Sequence, residues 1–168
     1  MKRNKIAKTI AVLTAVFGFS TLMFAQEYKP FHSKDAGSFV ASPSDVPGVL
    51  LSQDTATGEG TRIGKYTLSA SERIRLSDLL ITDGRYTMTA ADGSTLSGRY
   101  EGNGSATSTP GVISWEVCGP VTSGTGRFEE ARGAICFFGS GNLATGLFNE
   151  VSVGLLVSDD NRADDHKY

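Results

Sequence analysis

Short apolar stretches alternate with clusters of Gly, Asp, Asn and Ser along the chain from Gly37 onward. Within these stretches the apolar residues fall on every second position, and no long segment carries them at the spacing of three and four that a helix requires. This alternation, punctuated by turn residues, predicts an all-β protein. The predicted strands are 37–42, 48–56, 62–71, 73–81, 84–91, 94–101, 111–119, 132–139 and 144–157.

The clearest local structure is a β-hairpin around Asp92 and Gly93. A two-residue turn would place Met88 opposite Ser97, whereas a three-residue loop with Gly93 in the left-handed conformation places Met88 opposite Leu96. The second register gathers the apolar residues on one face, so it is the register we predict. The face it defines is formed by Tyr86, Met88, Leu96 and Tyr100.

So many short antiparallel strands in one chain need protection for their edges, because an unpaired edge invites aggregation. A closed barrel removes the edges completely and a sandwich removes them in part, and both remain open at this point. The glycines inside the predicted strands favour the barrel, because tightly coiled strands bend at glycine. We therefore predict a small closed antiparallel barrel of about eight strands over residues 37–157.

The two ends of the chain differ from its middle. Residues 1–25 have a basic start, an apolar stretch and a small residue at Ala25, which is the layout of a signal peptide. A membrane anchor is the alternative, but the apolar stretch is shorter than the roughly 20 residues that span a bilayer. We expect an exported protein, periplasmic or extracellular, with no transmembrane segment after processing. Residues 26–36 are predicted to be an extended lead-in and residues 158–168 a disordered acidic tail.

Composition narrows the possible chemistry. The chain has 168 residues, 16 basic and 18 acidic, and loss of residues 1–25 with their four basic side chains would leave a net charge of −6. An acidic protein without a basic stripe is a poor partner for nucleic acid, so no nucleic acid is expected. Asp54, Asp83 and Asp92 are interpreted as turn residues.

Three stretches of the sequence carry a family resemblance. They are GEGTRIGK at 58–65, TAADGSTL at 89–96 and SGTGRF at 123–128, followed by Ala131 and Gly133. In this order and spacing they resemble small exported bacterial proteins with an allene oxide cyclase-like, or dirigent-like, β-barrel, from about Lys29 to Val157. The group's usual Thr-His-Leu-Gly is replaced here by residues 61–64, Thr-Arg-Ile-Gly, so no role for that histidine carries over.

The resemblance implies an eight-stranded antiparallel barrel around an apolar cavity. Relatives in this superfamily include plant allene oxide cyclases, dirigent proteins and bacterial cyclases, which work without a cofactor. They act mainly by holding a reactive chain in one conformation. No cofactor is therefore expected here.

Two residue types that often carry chemistry are scarce. His32 lies in the predicted lead-in and His166 in the tail, so a histidine-based triad or metal site is not expected and no metal ligand is assigned. Cys118 and Cys136 are the only cysteines, and they lie on strands expected to pair. A disulfide between them suits an oxidising compartment, and two buried free thiols are the alternative.

The predicted interior offers a binding site rather than a catalytic set. Alternation places aromatic and apolar side chains inward, where they could line a ligand cavity or simply fill the barrel. The candidate lining residues are Tyr66, Tyr86, Met88, Leu96, Tyr100, Trp115 and Phe137. The catalytic residues stay unknown, with Glu116 as a weak candidate, because its neighbours Trp115 and Val117 are better placed to face inward.

Three functions remain on this basis. The first is a barrel that binds an apolar small molecule or a protein partner without turnover. The second, which rests on the resemblance, is a cofactor-free cyclase or isomerase. The third is a structural barrel that forms a homo-oligomer. The second function predicts an open apolar cavity with a tyrosine, glutamate or arginine directed inward, and a monomer at high concentration would count against the third.

Overall fold

A computed structural model describes residues 28–157, which form one antiparallel sheet of eight strands and a single turn of 3-10 helix. The predicted signal peptide, residues 26 and 27, the predicted tail and His166 lie outside the described residues. The strands are β1 (Lys29–Pro43), β2 (Val49–Gly60), β3 (Gly64–Arg75), β4 (Leu80–Ala90), β5 (Thr95–Ala106), β6 (Val112–Gly124), β7 (Arg132–Asn142) and β8 (Leu147–Val157).

The sheet closes on itself into a barrel. Each strand pairs with its neighbours in sequence, and β1 also pairs with β8 from Lys29 opposite Leu156 to Ser38 opposite Leu147. Every described strand therefore has a hydrogen-bonded partner on both sides, and this sheet leaves no edge exposed. The prediction of a closed barrel of about eight strands is confirmed. Among the described residues there is no helix with the length and apolar character needed to cross a membrane.

Two predicted boundaries are wrong. The first strand begins at Lys29, so residues 29–36 belong to the barrel wall rather than to a lead-in. Two of their three inward positions are polar, Ser33 and Asp35, and this polar content hid the strand. The chain also turns at residues 76–79, so the predicted strand 73–81 divides between the end of β3 and the start of β4. Nine predicted strands thereby become eight.

The hairpin of β4 and β5 has the predicted register. Tyr86 lies opposite Gly98 and Met88 lies opposite Leu96. Gly93 adopts a φ of 83°, the left-handed conformation that a residue with a side chain rarely accepts. Met88 and Leu96 are completely buried, so the apolar face of the hairpin points into the barrel as expected.

The interior is filled at one end, which we call the closed end. Phe31, Ile63 and Ile135 are fully buried there, and Phe128 from the 3-10 helix Gly126–Phe128 packs in from the β6–β7 connection. Arg127 ties the connections together, because its guanidinium donates to the Ile63 carbonyl at 2.7 Å and pairs with Asp92 at 3.0 Å. The chain enters β1 and leaves β8 at this same end.

Candidate ligand-binding site

The opposite end of the barrel, which we call the mouth, leads into a cavity of about 180 Å³. Aliphatic side chains from the ends of the strands and from the connecting turns surround its entrance. Leu76 and Leu143 are 52% and 56% exposed there, so the cavity reaches the surface through an apolar rim. The deeper lining residues include Leu68, Ala70, Val117 and Phe148, together with the aromatic and acidic residues described next.

One side of the cavity is an aromatic wall, formed by Tyr100 on β5, Trp115 on β6 and Phe137 on β7. The Tyr100 and Phe137 rings lie 5.8 Å apart. The Trp115 indole lies against Gly139, where an added Cβ would meet the ring at 2.3 Å. A glycine is needed at 139 because any side chain would occupy the space of the indole.

The other side carries four inward acids: Asp35 on β1, Asp54 on β2, Glu72 on β3 and Glu150 on β8. Because β8, β1, β2 and β3 are consecutive in the closed sheet, the four inward acids share one wall of the barrel. Asp35 lies directly opposite Glu150 in the strand register. Asp54, Glu72 and Glu150 line the cavity, and Asp35 lies outside its lining.

Two of these acids accept hydrogen bonds from neutral side chains on the aromatic wall across the interior. The Tyr100 hydroxyl donates to Glu72 Oε2 at 2.7 Å, and the Trp115 indole N–H donates to Glu150 Oε2 at 2.7 Å. The aromatic wall and the acids are therefore joined at the floor of the cavity. The other two acids have local donors: Tyr66 to Asp35 at 2.6 Å and Ser52 to Asp54 at 2.7 Å.

Burial raises the pKa values of the acids because the charged form loses its hydration. Burial, together with the nearby Asp35 charge, raises the pKa of Glu150 to about 8, against the opposing effect of the Trp115 hydrogen bond. Burial and the neighbouring Glu72 raise the pKa of Asp54 to about 7. The pKa values of Glu72 and Asp35 are raised by burial as well, and hydrogen bonds from Tyr100 and Tyr66 respectively oppose the shift.

The cavity therefore holds Glu150, which keeps its proton at neutral pH, and Asp54, which is about half protonated there. Such a group can donate a hydrogen bond or a proton to a bound molecule, or ionise when a cation arrives. Within residues 28–157, no three His, Cys, Asp or Glu side chains are grouped so as to hold a metal ion.

The candidate lining residues divide into two groups. Tyr100, Trp115 and Phe137 line the cavity. Tyr66, Tyr86, Met88 and Leu96 are buried in the barrel but lie outside the cavity lining, because they fill the interior toward the closed end.

Glu116 is not part of the cavity. It is exposed on the outer face of β6, between the inward Trp115 and Val117, so the structure removes it as a catalytic candidate. Asp54 was interpreted as a turn residue, and this is wrong: it lies within β2 and lines the cavity. His32 is exposed on β1, outside the cavity lining.

Cys118 and Cys136 form a disulfide, as predicted. They lie directly opposite each other on β6 and β7, with their Cα atoms 4.0 Å apart. Cys118 is exposed and Cys136 half-buried, so the bond lies on the outer surface of the barrel. The alternative of two buried thiols is excluded.

The inward orientation of the four acids is not predicted from the sequence, although an alternation signal is present for one of them. Tyr66, Leu68 and Ala70 alternate along β3, and two steps further the same face reaches Glu72. Extending the alternation past the last apolar residue would have placed Glu72 inward.

The barrel has a counterpart among solved structures. The structure of a pterocarpan synthase dirigent protein superposes with a TM-score of 0.53 at 17% sequence identity, covering 83% of this chain and 95% of that chain. The described barrel therefore has the fold of a dirigent protein, which confirms the dirigent-like part of the expected resemblance. No known protein family and no curated protein matches the sequence.

Proposed function

We propose that this protein binds an apolar small molecule inside the barrel, through the mouth, without converting it. The observation that carries the proposal is the cavity of about 180 Å³, with its apolar rim, its aromatic wall and a few polar groups at the floor. Binding sites for small molecules combine apolar walls with a small number of placed polar groups in this way. The dirigent-like fold supports the binding part of the proposal, since the dirigent protein with this kind of barrel is named for a small-molecule product, a pterocarpan.

The size of the cavity limits the ligand. An engineered apolar cavity of about 150 Å³ accepts benzene. A cavity of about 180 Å³ therefore suits one aromatic ring with a short substituent. Larger compounds would have to leave part of their structure in the mouth, beside Leu76 and Leu143.

Trp115 provides a direct test, because it is the single tryptophan of the chain and lines the cavity. We expect titration with single-ring aromatic compounds to change Trp115 fluorescence in a saturable manner. Ala70→Phe should abolish the change, since Ala70 lines the cavity and a phenylalanine there would occupy the ligand's space. Ala134→Phe is the matched control, because Ala134 is exposed on the outer face of β7.

The binding proposal would fail if no single-ring compound altered Trp115 emission. It would also fail if Ala70→Phe and Ala134→Phe bound equally well, since the ligand would then lie outside the cavity. Circular dichroism of both variants establishes that each retains the barrel.

A second candidate function, a cofactor-free isomerase or cyclase, is favoured by one observation. Glu150 and Asp54 line the cavity with pKa values raised to about 8 and about 7, so a protonated carboxylic acid would face a bound molecule at neutral pH. An acid of this kind can protonate a reactive intermediate held in one conformation. The resemblance to allene oxide cyclase-like proteins supports the same candidate.

Turnover would have a defined pH dependence. If Glu150 donates the proton, the rate should fall as pH rises through about 8, because the donor loses its proton. Glu150→Gln should remove turnover while Trp115 fluorescence still reports binding. The measurement is product analysis by NMR after each bound compound has been incubated with the protein. If every compound is recovered unchanged, the isomerase or cyclase function is excluded and only the binding function stands.

Export and self-association remain proposals of the same kind. The disulfide suits an oxidising compartment outside the cytoplasm, which supports export. The homo-oligomer expected from the sequence stays a prediction, as does a protein partner.

A further inference from the structure

The barrel interior has an unbalanced set of ionisable groups. Asp35, Glu72 and Glu150 are buried, and Asp54 is half-buried beside them. Among residues 28–157, no lysine, arginine or histidine is buried. Buried acids in proteins are ordinarily paired with a base or held by several donors, because an unpaired buried charge is costly.

One acid also has an unused acceptor. Asp35 is 7% exposed, and its Oδ1 is buried without a hydrogen-bond partner, while Oδ2 accepts from Tyr66. A buried polar atom without a partner calls for an explanation, because most such atoms in folded proteins are satisfied. Asp35 lies directly opposite Glu150, which lines the cavity, so the unused acceptor lies on the same acidic wall, on the strand beside Glu150.

The aromatic wall, which faces the acids, can stabilise a bound cation through cation–π interactions. The faces of tryptophan and tyrosine attract a positive charge through the ring quadrupole, and phenylalanine does so more weakly. Tyr100, Trp115 and Phe137 line the cavity opposite the acids, and two of them already donate hydrogen bonds to those acids. A protonated amine at the floor would thus have carboxyl groups on one side and aromatic rings on the other.

We propose that the ligand of this cavity is a cation: a single-ring compound whose short arm ends in a protonated amine, seated between the three acids that line the cavity and the aromatic wall. The inference rests on the proposed binding function and specifies the chemical class of its ligand. The ammonium supplies the positive charge that the interior lacks, and the ring occupies the apolar part of the cavity.

The inference carries a pH dependence whose direction is fixed by the groups facing the site. Asp54 on β2, Glu72 on β3, Tyr100 on β5 and Glu150 on β8 line the cavity. Asp35 on β1, Tyr66 on β3 and Tyr86 on β4 lie next to them in the interior. Glu150 and Asp54, with pKa values of about 8 and about 7, change charge between pH 6 and pH 9. The tyrosines do not, because burial raises their pKa values above the usual range. Amine affinity should rise over this range as the acids ionise, and binding near neutral pH should release protons.

The test compares three probes with the same ring and nearly the same length: 2-phenylethylamine, 2-phenylethanol and phenylacetate. At pH 8 the amine is protonated, since alkyl ammonium groups have a pKa near 10. We expect Trp115 fluorescence and calorimetry to give an affinity for the amine that is about tenfold or more above that for the alcohol. Phenylacetate should bind most weakly, and calorimetry in two buffers of different ionisation enthalpy should show proton release with the amine alone.

A matched pair of variants places the effect inside the barrel. Glu150→Gln removes one carboxyl from the cavity and should reduce the preference for amine over alcohol at pH 8 several-fold, while Glu116→Gln changes an exposed glutamate and should leave it unchanged. Asp54→Asn serves as a second cavity variant should Glu150→Gln fold poorly.

Each outcome decides something. An alcohol that binds as well as the amine overturns the cationic ligand and leaves the proposed binding function standing. Failure of all three probes to change Trp115 fluorescence overturns the binding function and the cationic ligand together. If both cavity variants retain the preference for the amine and Glu116→Gln abolishes it, the amine does not bind inside the barrel.

Discussion

The free energy of unfolding should fall by about 6 kcal/mol as the pH rises from 5 to 9, because one pKa unit corresponds to about 1.4 kcal/mol. The cause is the acidic wall of the barrel. The pKa of Glu150 is about 8 in the folded protein against 4.5 for an ordinary glutamate, and the pKa of Asp54 is about 7 against 3.8. Between these values the folded state binds more protons than the unfolded state, so raising the pH favours unfolding.

This change of stability with pH has the opposite sign to the change caused by an acid held in an ion pair. For such an acid the folded pKa is lowered, and stability is lost as the pH falls. Here stability is complete below about pH 4, where both states hold the protons of these acids. The loss begins above that pH and levels off above about pH 8, once Glu150 has ionised in the folded protein.

Denaturant unfolding at pH 5, 7 and 9 is the measurement. Glu150→Gln should reduce the loss of unfolding free energy between pH 5 and pH 9 by about half, since glutamine has no proton to lose and keeps nearly the same shape. Glu116→Gln, on the outer face of β6, should leave the profile unchanged. A wild-type profile that is level or rises between pH 5 and pH 9 would show that the inward acids are ionised in the folded barrel.

Loss of the disulfide should lower the free energy of unfolding by about 3 kcal/mol, the value expected for a closed loop of this size. Cys118 and Cys136 are 18 residues apart, and the bond between them restricts the unfolded chain. The double variant Cys118→Ser/Cys136→Ser avoids leaving a reactive thiol on the surface. Equilibrium unfolding in denaturant measures the loss.

Binding should respond differently from stability in this variant. The disulfide lies on the outer surface and neither cysteine lines the cavity, so Trp115 fluorescence titrations should give the same affinity as for the native chain. Reduction of the native protein with dithiothreitol should reproduce the stability loss. A loss below about 0.5 kcal/mol would mean that the unfolded chain already keeps residues 118–136 compact.

The sequence predicted the β4–β5 hairpin well because two independent signals agree there. Gly93 specifies the loop, and the alternation of Tyr86, Met88 and Leu96 specifies the register. Trp115 and Val117 were placed inward by the same reasoning, which also turned Glu116 outward. Where apolar residues face the interior, period-two alternation therefore gives both the strand and its orientation.

Glu150 was not predicted to face inward because its strand, β8, reverses that rule. On β8 the outward positions include Val151, Val153 and Leu155, whereas the inward positions include Glu150 and Ser152. Alternation alone would predict the opposite orientation of β8, with Val151, Val153 and Leu155 facing the interior. Only closure of the sheet against β1, which pairs Glu150 with Asp35, settles the orientation, and that pairing joins residues far apart in sequence.

The arrangement of the two ends of the barrel bears on how the protein can be handled. The chain enters at Lys29 and leaves at Val157 on the closed end, while the mouth with Leu76 and Leu143 lies at the opposite pole. A biotin tag, a fluorescent fusion or a sensor chip joined directly before Lys29 or directly after Val157 would attach behind the barrel and leave the entrance facing solution.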